Sequence, residues 1–111
     1  MSEPERRKAA NEAVFREVNE RIEDLQREFA LAEHEPLHIV CECDQLDCVE
    51  RLSVTLDTYE RVRGDSACFV VVPGHEDPDI EAVVETAVGY VVVRKNAGGP
   101  RDVAEATDQR G

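Results

Sequence analysis

The first third of the chain carries apolar residues at the spacing of an α-helix. They recur three and four positions apart, as in the heptad repeat of helices that pair side by side, at Phe15, Val18, Ile22, Leu25 and Phe29. Ser2 and Glu5 form a capping box at its start. Pro36 ends the pattern, because the residue before a proline avoids the α region. We therefore predict an N-terminal amphipathic helix within residues 1–33.

The apolar stripe of this helix has two interpretations. It either packs on the chain's own core or binds another protein, which includes pairing with a second copy of the chain. Two heptads form only a weak coiled coil by themselves, so a homodimer would need further contacts from the rest of the chain. Pairs of opposite charge four residues apart support the helix in either case, at Glu12–Arg16, Glu17–Arg21 and Glu23–Arg27.

The middle of the chain alternates short apolar runs with turn residues, which predicts a small antiparallel sheet. The first two strands form a hairpin whose loop is residues 41–48, and the third is apolar enough to be covered on both faces. The predicted strands cover residues 37–40, 49–54, 68–72 and 90–94.

One short helix is predicted between the hairpin and the third strand, from Thr55 to Arg63. Thr55 is a good N-cap, Asp57 lies in the first turn, and Gly64 follows the last turn. Residues 80–88 fit a helix and a strand almost equally well, because their apolar positions satisfy both periods.

These elements indicate an α+β fold. A long N-terminal helix (1–33) precedes a domain (34–95) with a small antiparallel sheet and one short helix, held together by a zinc site. Residues 96–111 have no apolar period, which predicts a disordered tail.

Composition limits what this fold can do. A single small domain of 111 residues with 5% aromatic residues buries little apolar surface, so it needs further stabilisation. The net charge of −12 argues against binding to nucleic acids or anionic membranes.

The N-terminus lacks the apolar segment of a signal peptide, which predicts a cytoplasmic protein with reduced thiols. In that compartment a cysteine cluster indicates a metal site before it indicates a disulfide.

The cysteine cluster lies in the predicted hairpin loop. Cys41, Cys43 and Cys48 place three thiols within eight residues, a pattern typical of zinc ligands. Zinc takes four ligands in a structural site, so one more donor must come from elsewhere. His75 is favoured because it follows the turn Pro73-Gly74 and can reach the hairpin loop from there. The alternatives are Cys68, His34 and His38.

Several of these motifs together resemble a family of small actinobacterial proteins of unknown function. They are Asn11-Glu12-x-x-Phe15-Arg16-Glu17-Val18-Asn19-Glu20-Arg21-Ile22, Cys41-Glu42-Cys43-x4-Cys48, Tyr59-Glu60-x-Val62-Arg63 and Val72-Pro73-Gly74-His75. The resemblance covers roughly residues 8–95. It implies that Cys41, Cys43, Cys48 and His75 act together as metal ligands, whereas Cys68 stands outside the pattern. It implies no established activity.

Three functional hypotheses follow. The leading one is a non-catalytic zinc protein that binds another protein through its N-terminal helix and acts as an interaction or regulatory module. The second is a thiol-based redox or metal sensor, because zinc thiolates release the metal when they are oxidised. The third is a small metal-dependent enzyme, in which three thiolates leave an open position on zinc and His75 or Glu76 acts as acid or base.

Overall fold

The computed structural model describes residues 2–28, 35–108 and 110. Phe29, His34 and the predicted end of the first helix lie outside the described residues. None of the described helices is both long and apolar enough to cross a bilayer. The elements in chain order are α1 (Glu3–Glu28), β1 (Pro36–Val40), β2 (Arg51–Thr55), α2 (Leu56–Arg63), β3 (Cys68–Val71), β4 (Glu81–Ala87), β5 (Tyr90–Lys95) and α3 (Gly99–Ala106).

The strands form two antiparallel units that meet just after β1. The hairpin pairs β1 with β2, and its core-facing partners are Leu37 with Val54 and Ile39 with Leu52. The second unit is a three-stranded sheet in the order β3-β5-β4. The N–H of Glu42 donates to the carbonyl of Val70 in β3 at 2.9 Å, which joins the hairpin to this sheet.

The predicted α+β class is confirmed, with a long N-terminal helix, antiparallel strands and short helices. Thr55 caps α2 through its side chain, as the sequence indicates. Residues 81–87 form a strand because they pair with β5 along their length, with an irregularity between Val83 and Glu85. Their many β-branched residues suit this extended conformation.

β3 is buried on both faces, and each face belongs to a different hydrophobic cluster. In the first cluster, Cys68 and Val70 pack with the hairpin and α2. In the second cluster, Phe69 and Val71 pack with the loop that carries Cys41 and Cys43, with β5 and with α3. The alternation of side chains along one strand therefore connects the two halves of the core.

α1 buries a polar face and exposes an apolar one. The side chains turned towards the body are Ala9, Glu12, Arg16, Asn19, Glu20 and Glu23. In contrast, Val14 and Val18 are 49% and 39% exposed, and Leu25 is 56% exposed. Of the predicted stripe, Phe15 and Ile22 are half-buried, and Ile22 reaches the first cluster. Of the two interpretations of the stripe, packing on the chain's own core does not hold for Val18 and Leu25.

The buried polar face of α1 is stabilised by partners that are distant in sequence. The guanidinium of Arg16 donates to the carbonyls of Ser66 and Ala104 at 2.6 and 2.7 Å, and it lies 4.3 Å from the ring centre of Phe69. Glu12 forms an ion pair with Lys95, and not with Arg16 as the spacing suggests. Hydrogen bonds and ion pairs therefore fix α1 more than apolar packing does.

The prediction of a disordered tail is wrong for residues 99–106, which form α3. Pro100 lies in the first turn, and Ala104 is buried against the second cluster. Beyond this helix, Asp108 binds Arg63 at 2.7 Å. Composition could not reveal this order, because the groups that hold the tail come from α1 and α2.

A buried ion cluster lies where α1 crosses the sheet. Lys95 bonds to Glu12 of α1 and to Glu81 of β4, and none of the three side chains is exposed. Burial raises the pKa of Glu81 to about 8. The cluster joins the N-terminal helix to two strands.

We predict that Lys95→Met destabilises the protein by about 3–5 kcal/mol, because the buried carboxyl groups of Glu12 and Glu81 lose their polar partner. Urea unfolding followed by circular dichroism measures this loss. Lys8→Met is the matched control, because Lys8 pairs with Asp77 at 2.7 Å but is partly exposed, and its midpoint should change far less. Equal losses in the two variants would show that the buried cluster has no special role.

Candidate metal centre

The hairpin loop brings the first two thiols to one side of the chain. The N–H of Cys41 donates to the carbonyl of Glu50 at 3.1 Å, which continues the hairpin pairing past β1. In an extended segment, alternate side chains point the same way. Cys41 and Cys43 are therefore directed to the same side, and the side chain of Glu42 points to the opposite side, where it is also buried.

Cys48 and His75 complete the cluster from two turns. The N–H of Cys48 donates to the carbonyl of Gln45 at 3.0 Å, and that of His75 donates to the carbonyl of Val72 at 2.9 Å. Gly74 has a φ of 92°, a conformation that favours glycine, so the Pro-Gly dipeptide directs His75 back to the loop. The cluster thus connects the hairpin to the end of β3.

The four donor atoms of Cys41, Cys43, Cys48 and His75 lie within 4.8 Å of one another. His75 Nδ1 is 3.6 Å from the sulfur of Cys41 and 3.7 Å from that of Cys48. A tetrahedral zinc ion with ordinary bond lengths separates sulfur and nitrogen ligands by about 3.5 Å. The cluster could therefore hold a metal ion.

The buried thiols of the cluster resist ionisation when no cation is bound. Burial raises the pKa of the Cys41 thiol, and the neighbouring cysteines raise it further. Burial also raises the pKa of Cys43. A divalent ion has the opposite effect, because it deprotonates the thiols that bind it. The N–H of Val72 donates to the sulfur of Cys41 at 3.2 Å, a bond that would stabilise a thiolate.

The other candidates for the fourth ligand lie apart from this cluster or outside the described residues. Cys68 belongs to the first hydrophobic cluster, and burial raises the pKa of its thiol to about 11. His38 bonds to the hydroxyl of Ser53 at 2.9 Å on the exposed face of the hairpin. His34 is not described. Among the residues that the structure describes, no other group of His, Cys, Asp or Glu could hold an ion.

Acidic side chains border the cluster. Asp44 follows Cys43 and lies buried next to Asp77. Burial raises the pKa of Asp44, and its bond to Asp77 raises it further, whereas the pKa of Asp77 is lowered by Asp44 and by Lys8. A shallow cavity of about 300 Å³ opens here, lined by Asp44, Gln45, Gly74, His75, Glu76, Asp77 and Pro78. The carboxylates add negative charge beside the donor set.

Glu42 is the residue of this region that sequence reasoning missed. Its carboxylate is fully buried and accepts three hydrogen bonds, from Asn19 of α1 at 2.8 Å, from the hydroxyl of Tyr59 in α2 at 2.8 Å, and from the N–H of Val70 at 2.9 Å. Burial raises the pKa of Glu42, and the three donors oppose that shift. The sequence offered one signal for this role. Side chains alternate along the Cys-x-Cys segment, so the residue between the two cysteines points away from the metal centre and towards α1 and α2.

α1 also contacts the loop directly. The side chain of Asn11 donates to the carbonyl of Asp44 at 2.8 Å. Asn19 donates to the carbonyl of Val40 at 2.8 Å and accepts from its N–H at 2.9 Å. The two asparagines thus hold the helix to both ends of the segment that carries Cys41 and Cys43.

Comparison with known proteins gives no relative: no family model matches the chain, and neither a curated protein nor a solved structure matches it. The resemblance to the small actinobacterial family stays a prediction. The donor geometry therefore carries the functional argument.

We predict that Glu42→Gln destabilises the protein by about 2 kcal/mol, because an amide has only one oxygen for three donors and its own NH₂ would meet either the N–H of Val70 or the NH₂ of Asn19. Thermal and urea unfolding measure the effect. Glu50→Gln, at an exposed position of the same loop, is the control and should leave the midpoint unchanged. A wild-type midpoint for Glu42→Gln would contradict the assigned role.

Proposed function

We propose that the chain is a non-catalytic zinc protein that acts as a protein-interaction or regulatory module. The observation that carries this proposal is the set of four donors, Cys41, Cys43, Cys48 and His75, within 4.8 Å of one another. A Cys₃His set fills all four positions of a tetrahedral ion, which is typical of structural zinc sites.

Zinc is the metal that this donor set favours. Thiolates and one imidazole at tetrahedral separations suit zinc better than magnesium or calcium, which prefer oxygen ligands. Structural zinc sites contribute roughly 10–16 kcal/mol of apparent binding free energy. In a chain with so few aromatic residues, that contribution would dominate stability.

The arrangement gives little support to the enzyme hypothesis. An open zinc site requires His75 to stay away from the metal so that water can bind. Its Nδ1 instead lies 3.6 Å from the sulfur of Cys41, at the distance of a fellow ligand. Glu76, the other proposed acid or base, accepts a hydrogen bond from the N–H of Gly74 at 2.8 Å.

Two further parts of the proposal concern location and partner. We place the protein in the cytoplasm, where reduced thiols remain available for zinc. We place its partner-binding surface on α1, whose apolar residues Val14, Val18 and Leu25 are exposed. A non-catalytic domain with such a face is suited to binding another protein.

We predict that wild-type protein purified under reducing conditions contains about one zinc ion per chain. His75→Ala should lose stoichiometric zinc and cooperative unfolding, because a ligand and the folding energy of the site are removed together. His38→Ala is the matched control and should keep both. Elemental analysis and circular dichroism measure these quantities. Full zinc content in His75→Ala would refute the Cys₃His assignment.

A second candidate function, a redox or metal sensor, is favoured by the contacts between α1 and the cysteine loop. Asn11 and Asn19 bond to the backbone on either side of the Cys-x-Cys segment. Peroxide could oxidise two thiolates to a disulfide, with reduction of the peroxide to water and release of zinc. Loss of the metal would then loosen the support of the helix.

We predict that removal of zinc by a chelator increases amide hydrogen exchange in α1 by roughly tenfold or more, because its asparagine contacts depend on an ordered loop. Added zinc should reverse the change. Mild peroxide should have the same effect in Cys68→Ser, since Cys68 lies outside the cluster. The sensor role is wrong if zinc stays bound under mild peroxide or if exchange in α1 is unchanged after zinc leaves.

A further inference from the structure

The exposed face of α1 is a defined surface with apolar and acidic parts. Its apolar stripe consists of Val14, Val18 and Leu25, and it continues onto the half-buried Phe15 and Ile22. Along its other side runs an acidic row of exposed side chains, Glu17, Asp24 and Glu28. A shallow depression between stripe and row is lined by Arg21, Asp24, Leu25 and Glu28.

The face of α1 that packs on the body is the one opposite this stripe, so the stripe does not contribute to the core. α1 is held to the body by Glu12, Arg16, Asn19, Glu20 and Glu23, so Val14, Val18 and Leu25 are not needed to fix it. A helix normally turns its apolar face inward. The reversed arrangement leaves an apolar helical seam at heptad spacing, with Val14, Val18 and Leu25 on one line.

The charged side chains on the outer face of α1 indicate which kind of partner it binds. Within the described part of the chain, the ion pair that this row forms joins Glu17 to Arg21 at 3.5 Å. The chain as a whole carries a net charge of −12. An occupant with basic residues beside its apolar seam would meet opposite charge both along the row and over the whole surface.

A second copy of the chain fits this surface poorly. In an antiparallel pair of these helices, the acidic row of each would face the acidic row of the other. In a parallel pair, the row would lie against the apolar side that holds Phe15 and Ile22. Neither arrangement places a row of cations along the acidic row, and two chains of net charge −12 repel each other.

We propose that the outer face of α1 binds a basic amphipathic helix of another protein, with the partner's apolar residues on Val14, Val18 and Leu25 and its cations along Glu17, Asp24 and Glu28. This inference rests on the proposed interaction function and names the chemistry of its partner. It also explains why the acidic row accompanies the apolar stripe on one side only.

Two synthetic helical peptides test the proposal on the full-length zinc-loaded chain. Both have leucine at the seam positions; one has lysine and the other glutamate at the flanking positions. The lysine peptide should bind, and the glutamate peptide should not. Val18→Ser/Leu25→Ser should weaken binding of the lysine peptide roughly tenfold or more. Val84→Ser is the matched control, because Val84 in β4 is 55% exposed, like Leu25, but lies off α1.

A charge variant tests the acidic row. Asp24→Asn/Glu28→Gln should weaken binding of the lysine peptide several-fold and reduce its salt dependence. Asp102→Asn/Glu105→Gln removes the same charge from exposed positions of α3 and is the control. Equal effects of the two variants would show that only overall charge matters, which would overturn the assigned row.

Other outcomes separate this proposal from the proposed function. Absence of zinc in the purified chain refutes the zinc function itself. With zinc bound, the partner proposal fails if the lysine peptide does not bind, if Val18→Ser/Leu25→Ser binds it normally, or if the glutamate peptide binds equally well. It also fails if ultracentrifugation shows a wild-type dimer that Val18→Ser/Leu25→Ser makes monomeric, because the stripe then pairs with a second copy.

Discussion

The buried carboxylate of Glu42 is the interaction on which the arrangement of this molecule depends. It lies between two cysteines of the candidate metal centre, so one short segment serves the metal centre through its thiols and the contact among α1, α2 and β3 through its carboxylate. Its three donors come from α1, α2 and β3. An unpaired buried carboxylate would be very unfavourable, so these elements must all be in place for the segment to adopt its conformation.

The same constraint explains the reversed helix. α1 brings Asn19 to Glu42 and to the backbone of Val40, and these partners are polar. The side of the helix that faces the body is therefore mainly polar: Glu12, Glu20 and Glu23 form ion pairs there, and Arg16 donates to two carbonyls. Val14, Val18 and Leu25 are left to the outside. A polar interior interface of this kind is more specific than an apolar one, because each donor has one acceptable position.

The sequence predicted the local features of the fold well and the long-range ones poorly. Thr55, Gly74 and the Cys-x-Cys spacing act through neighbouring residues, so the cap, the turn and the four clustered donors could be inferred from them. Glu12 and Arg16 are four residues apart, a spacing that is typical of an ion pair on the surface of a helix. Their real partners are Lys95 and the carbonyls of Ser66 and Ala104, which no local period reveals. The order of the tail was missed for the same reason.

The positions of these partners also bear on the order in which the chain can fold. Arg110 bonds to Glu20 and Glu23 of α1 and to Glu60 of α2, and Lys95 is the cation for Glu12. α1 therefore carries buried carboxylates whose cations lie far along the chain. It can form as an isolated helix, but it can dock only when the segments that carry Lys95 and Arg110 are in place. Until then its apolar and polar faces are both open to water and to chaperones.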